Sequence, residues 1–211
     1  MADLTTIASL ATAGGTTVLA VATFVSVRSA NRSARVAERA LLAGLRPVLA
    51  PARLQDPEQK ITWGDGHWTR LRGGLGGVEC SDDVIYLSMP LRNVGSGMAV
   101  LHGWYPHAQQ LDATSSHPEP EDFRRQTRDL YVASNDIGFW QGALRDPSEH
   151  GFDKLAALIR DRERLSIDLL YGDHEGGQRT ISRFGLAPAD SSPEWLCSVV
   201  RHWNLDRSDP R

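Results

Sequence analysis

Cysteine is scarce in this chain, with Cys80 and Cys197 alone among 211 residues. Two cysteines permit one disulfide at most, so a disulfide-rich secreted scaffold is excluded, and their separation matches no zinc-binding pattern. The simpler reading is a buried thiol at Cys197 and an incidental one at Cys80. A Cys80–Cys197 disulfide belongs to the alternative in which the C-terminal domain lies outside the membrane. An excess of basic residues is also missing. The formal net charge is −3, which argues against nucleic acid as a partner of the whole molecule.

Motifs that carry recognisable chemistry are lacking as well. Gly73 to Gly77 reads Gly-Gly-Leu-Gly-Gly, without the Lys-Ser/Thr of a phosphate loop and without a helix after it, which leaves a flexible loop. His102 and His107 flank Gly-Trp-Tyr-Pro and would need a third metal ligand from elsewhere. Asp173, His174 and Glu175 fall on a hairpin tip, where polar side chains face water and no held serine stands beside the imidazole. The sequence therefore points to no catalytic residue, no metal and no cofactor.

Charge itself is absent from Leu4 to Val27. As a helix rising ~1.5 Å per residue, this run spans ~36 Å, enough for the hydrocarbon core of a bilayer. A soluble helix is not normally uncharged on every face for such a distance. A cleavable signal peptide would begin with positive residues, yet only Asp3 is charged before the run, which favours an uncleaved anchor over a signal peptide or a buried core helix. Arg28, Arg32, Arg35, Arg39 and Arg46 follow the run and none precedes it, so the positive-inside rule places the N-terminus outside and the C-terminal domain in the cytoplasm. From Met1 to Arg46 five arginines face two acids, Asp3 and Glu38, giving +3; the remainder carries −6.

Ser29 to Leu45 has no proline, is rich in Ala, Arg and Leu, and stops before Pro47, which predicts a helix continuing the span. Its arginines fall on one stripe, and Arg28, Arg32 and Arg35, nearest the membrane, are the candidates for contact with anionic headgroups. Small residues recur four apart in the span (Ala11 and Gly15, Ser9 and Ala13, Ala22 and Ser26), a spacing that allows a homodimer through the transmembrane helix.

Residues 1–46 thus read as a transmembrane helix at about 4–27 plus a basic juxtamembrane helix, and 47–211 as a β-sandwich domain. Trp63 and Trp68 surround Gly64-Asp65-Gly66, a hairpin signal. Ile85, Leu87, Met89 and Leu91 alternate with polar neighbours, and Pro90 in that run predicts an edge strand or a bulge. Met98 to Tyr105, Leu130 to Ala133 and Ile137 to Trp140 follow as strands. Phe152, Leu155, Ala156 and Ile159 predict a short helix near 151–160. Leu165 to Tyr171 and Arg179 to Leu186 form a hairpin, and Trp195, Cys197, Val199 and Trp203 supply a last strand face. Several short strands with Gly and Pro turns indicate a sandwich.

The run Met89 to Ala99 resembles an "N-x-G-x-G-x-A" strand-turn-strand signature of uncharacterised bacterial single-span membrane proteins with a cytoplasmic immunoglobulin-like domain, and Tyr171-Gly172-Asp173 with Gly176, Gly177 and Arg179-Thr180 is similar to their "Y-x-D…G…R-T" hairpin. Met98 stands where that group often has proline. The resemblance implies an immunoglobulin-like β-sandwich and no assigned activity. Six tryptophans are many for this length, and Trp63, Trp68, Trp104 and Trp140 are the candidate binding surface for a protein partner. The functional expectation is a membrane-tethered, non-catalytic binding or scaffolding module. Its alternative is a membrane-anchored enzyme whose site gathers dispersed groups such as His102, Asp173 and His174.

Overall fold

The computed structural model describes residues 3–149, 151–190 and 192–206, with the side chains of residues 4–8, 11 and 43 outside the description. The outermost residues of the expected 1–46 and 47–211 segments, and the Ala11 side chain of the small-residue spacing, therefore lie outside the described residues. The chain divides into two compact units, residues 1–43 and 44–211.

The first unit is helical. Helix α1 runs unbroken over Leu4–Leu45, so span and basic extension are one element. It is long and apolar enough to cross a membrane over Thr12–Leu42. Val18, Leu19, Val21, Phe24 and Val25 are exposed on it. The threonines that dilute the run are neutralised internally. Thr16, Thr17 and Thr23 donate their hydroxyls to the carbonyls four residues earlier, at 2.8–2.9 Å, which spares the helix unpaired donors in an apolar medium.

The second unit is mainly β. Its strands are β1 (Leu49–Pro51), β2 (Gln59–Thr62), β3 (Trp68–Leu71), β4 (Leu75–Cys80), β5 (Ile85–Asn93), β6 (Ala99–His107), β7 (Arg124–Val132), β8 (Ile137–Leu144), β9 (Leu165–Gly172), β10 (Arg179–Pro188) and β11 (Trp195–Asn204), with helix α2 at Phe152–Arg160. Strands β2 and β3 form a separate hairpin; the other nine make one curled antiparallel sheet in the order β8-β5-β4-β11-β10-β9-β6-β7, with β1 also on β5. A two-pair junction, Trp195↔Gly76 and Leu196↔Leu75, joins its halves. The halves enclose the main core, where Trp140, Met89, Leu91, Phe184 and Ile167 are fully buried. Helix α2 closes that core with Phe152, Leu155, Ala156 and Ile159, each large side chain contributing roughly 1.5–3 kcal/mol of apolar burial.

Three sequence readings change. Leu75 to Gly77 is buried strand rather than loop, because a side chain at Gly76 or Gly77 would collide with Leu186 or Ser88, so the glycines admit close strand packing. Strand β5 is central and unbulged, paired with β8 on one side and with β4 and then β1 on the other. Pro90 falls where β4 ends and β1 begins, with its carbonyl accepting from the Ala52 N–H, so its missing N–H breaks no ladder bond. In β11, a register shift between Arg183 and Phe184 of the neighbouring strand breaks the period-2 face and leaves Val199 exposed.

The signature at Asn93 to Ala99 is a clamp on the chain emerging from α1. Asn93 Oδ1 accepts from Val48 N (3.2 Å) and Gly95 N (3.0 Å), while its Nδ2 donates to Gly97 O (2.6 Å) and Val132 O (3.0 Å). Side chains at Gly95 and Gly97 would collide with the backbone of Leu45 to Val48. Tyr171 of the second signature receives Leu49 N at 3.1 Å and bonds Ser182. Arg46 is held by Asn204 and Asp206 (2.7 and 2.5 Å) and is not a free surface charge.

Candidate functional site

Strands β7 and β8 leave one turn, Ala133–Asp136, and part: β7 joins β6 and β8 joins β5. They share no ladder pair, so the curled sheet has a seam. Near the turn it is tight, with Gly138 against Val132. Further along, four residues of β7, Gln126 to Asp129, stand opposite the single residue His102 of β6. Such a bulge re-aims side chains. Here five consecutive residues, Arg124 to Arg128, line the seam, where strict alternation would present every second one.

The result is a cleft of about 690 Å3 between the bulge, β8 and the β2–β3 hairpin. Arg124, Arg125, Arg128 and Arg145 line it, and no acidic side chain does. Two of these charges are balanced from behind. Arg124 bonds Glu149 at 2.5 Å and lies over the Trp104 ring, and Arg145 bonds Asp65 at 2.9 Å. The Tyr86 hydroxyl, together with the His67 N–H and Arg145, holds the Asp65 carboxyl down at about 2 against the opposing effect of burial, so that partner stays ionised. Among the described residues, the Arg128 side chain donates only to Thr62 O, at 3.3 Å, has no acidic partner and lies over the Phe139 ring. The Arg125 side chain makes neither a hydrogen bond nor an ion pair among the described residues.

The floor is built from Gly142, Trp63 and Trp104. Trp63 Nε1 donates to Gly142 O at 3.1 Å, and a side chain at Gly142 would collide with the rings of Trp104 and Trp140. Gln126 Nε2 donates to Gln141 O at 2.9 Å across the seam, which fixes its amide so that Oε1 faces away as an acceptor. Gln126 Oε1 and Gln141 Oε1 are buried and accept nothing among the described residues, and Gln141 is only 4% exposed. A buried acceptor without a donor costs roughly 1–3 kcal/mol, so the seam is expensive for folding alone.

The four tryptophans singled out in the sequence separate. Trp63 and Trp104 reach the cleft as buried walls. Trp140 is 0% exposed, packed edge-on to Trp104 in the core, and presents no surface, so it leaves the candidate binding face. Trp68 is 53% exposed on the hairpin, with Lys60 and Arg70 beside its ring, outside the cleft. Arg28, Arg32 and Arg35 are exposed on α1.

The dispersed polar groups go to separate tasks. His107 bonds the buried Asp168 at 2.9 Å, whereas His102 sits at the bulge, where burial, with Arg179 adding to it, lowers its pKa. Asp173 caps the Asp173–Gly177 turn through the Gly177 N–H, and His174 meets Glu175 at the tip. Ser182 and His202 bond at 2.5 Å, but Ser182 is fully buried and out of reach of a substrate. No group of three metal-ligating side chains occurs among the described residues. Both cysteines are free, and burial pushes the Cys197 thiol up to about 12.

The seam arginines escaped the sequence reading. The local signal was Arg124-Arg125-Gln126-Thr127-Arg128, three arginines in five residues of a segment carrying −6. Comparison of the chain with protein-family models, with curated proteins and with solved structures gave no match in any of the three, so the functional reading rests on this geometry.

Proposed function

We propose that the protein is a membrane-tethered, non-catalytic binding module, held by α1 in a bacterial inner membrane with its β domain in the cytoplasm and its ligand in the β7–β8 seam. The observation that carries the reading is an arginine-lined cleft with buried, unpaired amide oxygens and no serine, cysteine, histidine or acid on its walls. Concave, largely pre-formed sites with a few convergent polar groups are the usual form of a small-ligand site. The arginines that follow the charge-free run support the orientation. An immunoglobulin-like sandwich is the finer reading of the fold, with β1, β4, β5 and β8 as one layer and β6, β7, β9, β10 and β11 as the other.

Alkaline carbonate extraction tests the tether: the full chain stays in the membrane pellet, and release to the supernatant would remove it. Thiol labelling tests the side. In intact cells an impermeant maleimide leaves a cysteine introduced at exposed Ser198 unmodified, and lysis exposes it. Labelling before lysis would put the domain on the other face.

A further inference from the structure

We infer that the seam cleft takes a phosphorylated small molecule that also carries hydroxyl or amino groups, such as a sugar phosphate or nucleotide. The inference rests on the seam being a ligand site. Once Glu149 and Asp65 are set against Arg124 and Arg145, two positive charges remain: Arg128 within the bulge and Arg125 on the paired position just before it. A phosphate monoester carries close to −2 near neutral pH and accepts several charge-assisted bonds from guanidinium forks, which matches that pair better than a single carboxylate does.

The volume adds a second restriction. Inorganic phosphate would leave most of about 690 Å3 empty, so an organic body is expected behind the anion. Its polarity follows from the acceptors on the wall. Gln126 and Gln141 line the cleft, and their buried Oε1 atoms have no partner among the described residues; only a donor, O–H or N–H, satisfies them. A purely apolar body would leave both desolvated and unbonded. The Gln126–Asp129 segment has no ladder partner in β6, so its backbone N–H groups are additional candidate donors to the phosphate.

Isothermal titration of the full chain in phosphatidylcholine nanodiscs tests this with ribose 5-phosphate, ATP and pyrophosphate, and with ribose, adenosine and spermidine as neutral and cationic counterparts. Thr127→Trp, at an exposed position of the bulge, plugs the cleft, and an unchanged urea midpoint shows that the variant still folds. Saturable binding of ribose 5-phosphate or ATP is expected. Arg125→Gln with Arg128→Gln weakens it at least tenfold, and Thr127→Trp abolishes it. Gln141→Met weakens ribose 5-phosphate and leaves pyrophosphate unaffected. Repeating the titration in phosphatidylglycerol nanodiscs locates the phosphate: competition by the bilayer assigns it to a lipid headgroup, and unchanged affinity assigns it to a soluble ester. If a neutral or cationic probe binds in a Thr127→Trp-sensitive way while no phosphorylated probe does, the phosphate inference falls and the ligand site stands. If nothing binds in a Thr127→Trp-sensitive way, both fall.

Discussion

Two regions of the β domain hold arginine, and they treat it oppositely. Arg183 is fully buried, and its five N–H donors make five bonds: two to Asp168 at 2.8 Å and three to the carbonyls of Asp112, Ser115 and Ser116 at 2.9–3.3 Å. Its charge is cancelled and its directions are used up, so it ties the segment after β6 onto β9 and β10. Across the domain, the Arg125 side chain bonds nothing among the described residues, and Arg128 has one long bond to a carbonyl and lies over the Phe139 ring at 5.8 Å. Neither charge is matched by an acid among the described residues. The contrast separates polar groups kept for architecture from polar groups kept for a ligand, and stability measurements distinguish the two.

The largest effect is expected where the network is complete. Asp168→Ala leaves a buried guanidinium without its counter-ion and should cost about 3–5 kcal/mol in urea unfolding. Replacing both partners, Asp168→Leu with Arg183→Met, should recover much of that loss, because the pair's desolvation cost disappears with it. A double variant as unstable as the single one would mean that the carbonyl bonds of Arg183, rather than the ion pair, hold the fold. Next comes the clamp: Asn93→Ala removes four side-chain bonds, one to Val48 N in the chain after α1 and three to Gly95, Gly97 and Val132, and should cost about 2 kcal/mol or more.

Acid should act on the complete network. Burial alone would raise the Asp168 carboxyl, but the bonds from Arg183 and His107 outweigh it and hold the group below its ordinary value. A depressed carboxyl contributes stability that is fully present above the unfolded value of about 4 and is lost as pH falls from there through the folded value. The wild-type urea midpoint should therefore drop below about pH 4, and the Asp168→Leu, Arg183→Met variant should show a shallower drop. The smallest effect is expected in the seam. Gln141→Met removes an unpaired buried oxygen and should leave stability within about 0.5 kcal/mol of wild type or raise it.

Much of the scaffold was legible because periodicity is a local property. Phe152, Leu155, Ala156 and Ile159 gave α2 and its buried face, and Gly64-Asp65-Gly66 gave the β2–β3 hairpin. The uncharged run gave α1 as one helix. Pairing between distant strands was not legible. Pro90 reads as an edge marker until β4 and β1 are known to share the same side of β5. The alternation in β9 suggests a wet face, yet Ser166 and Asp168 are buried because Arg183 pins the Asp112 to Ser116 segment over them. The seam depended on the same missing knowledge. Only tertiary structure tells that β7 and β8, consecutive in sequence, pair away from each other and that β7 carries a four-residue bulge against β6. The two signature runs, in contrast, were visible as patterns without a role, and in the folded chain the first grips Val48 and the second grips Leu49.

The most direct test is urea unfolding of the full chain carrying Arg125→Gln and Arg128→Gln together. If these charges serve a ligand, the midpoint stays the same or rises, because like charges are removed and no architectural bond to an acid is lost. A drop comparable to that of Asp168→Ala would show that the seam arginines hold the fold, and would contradict the account.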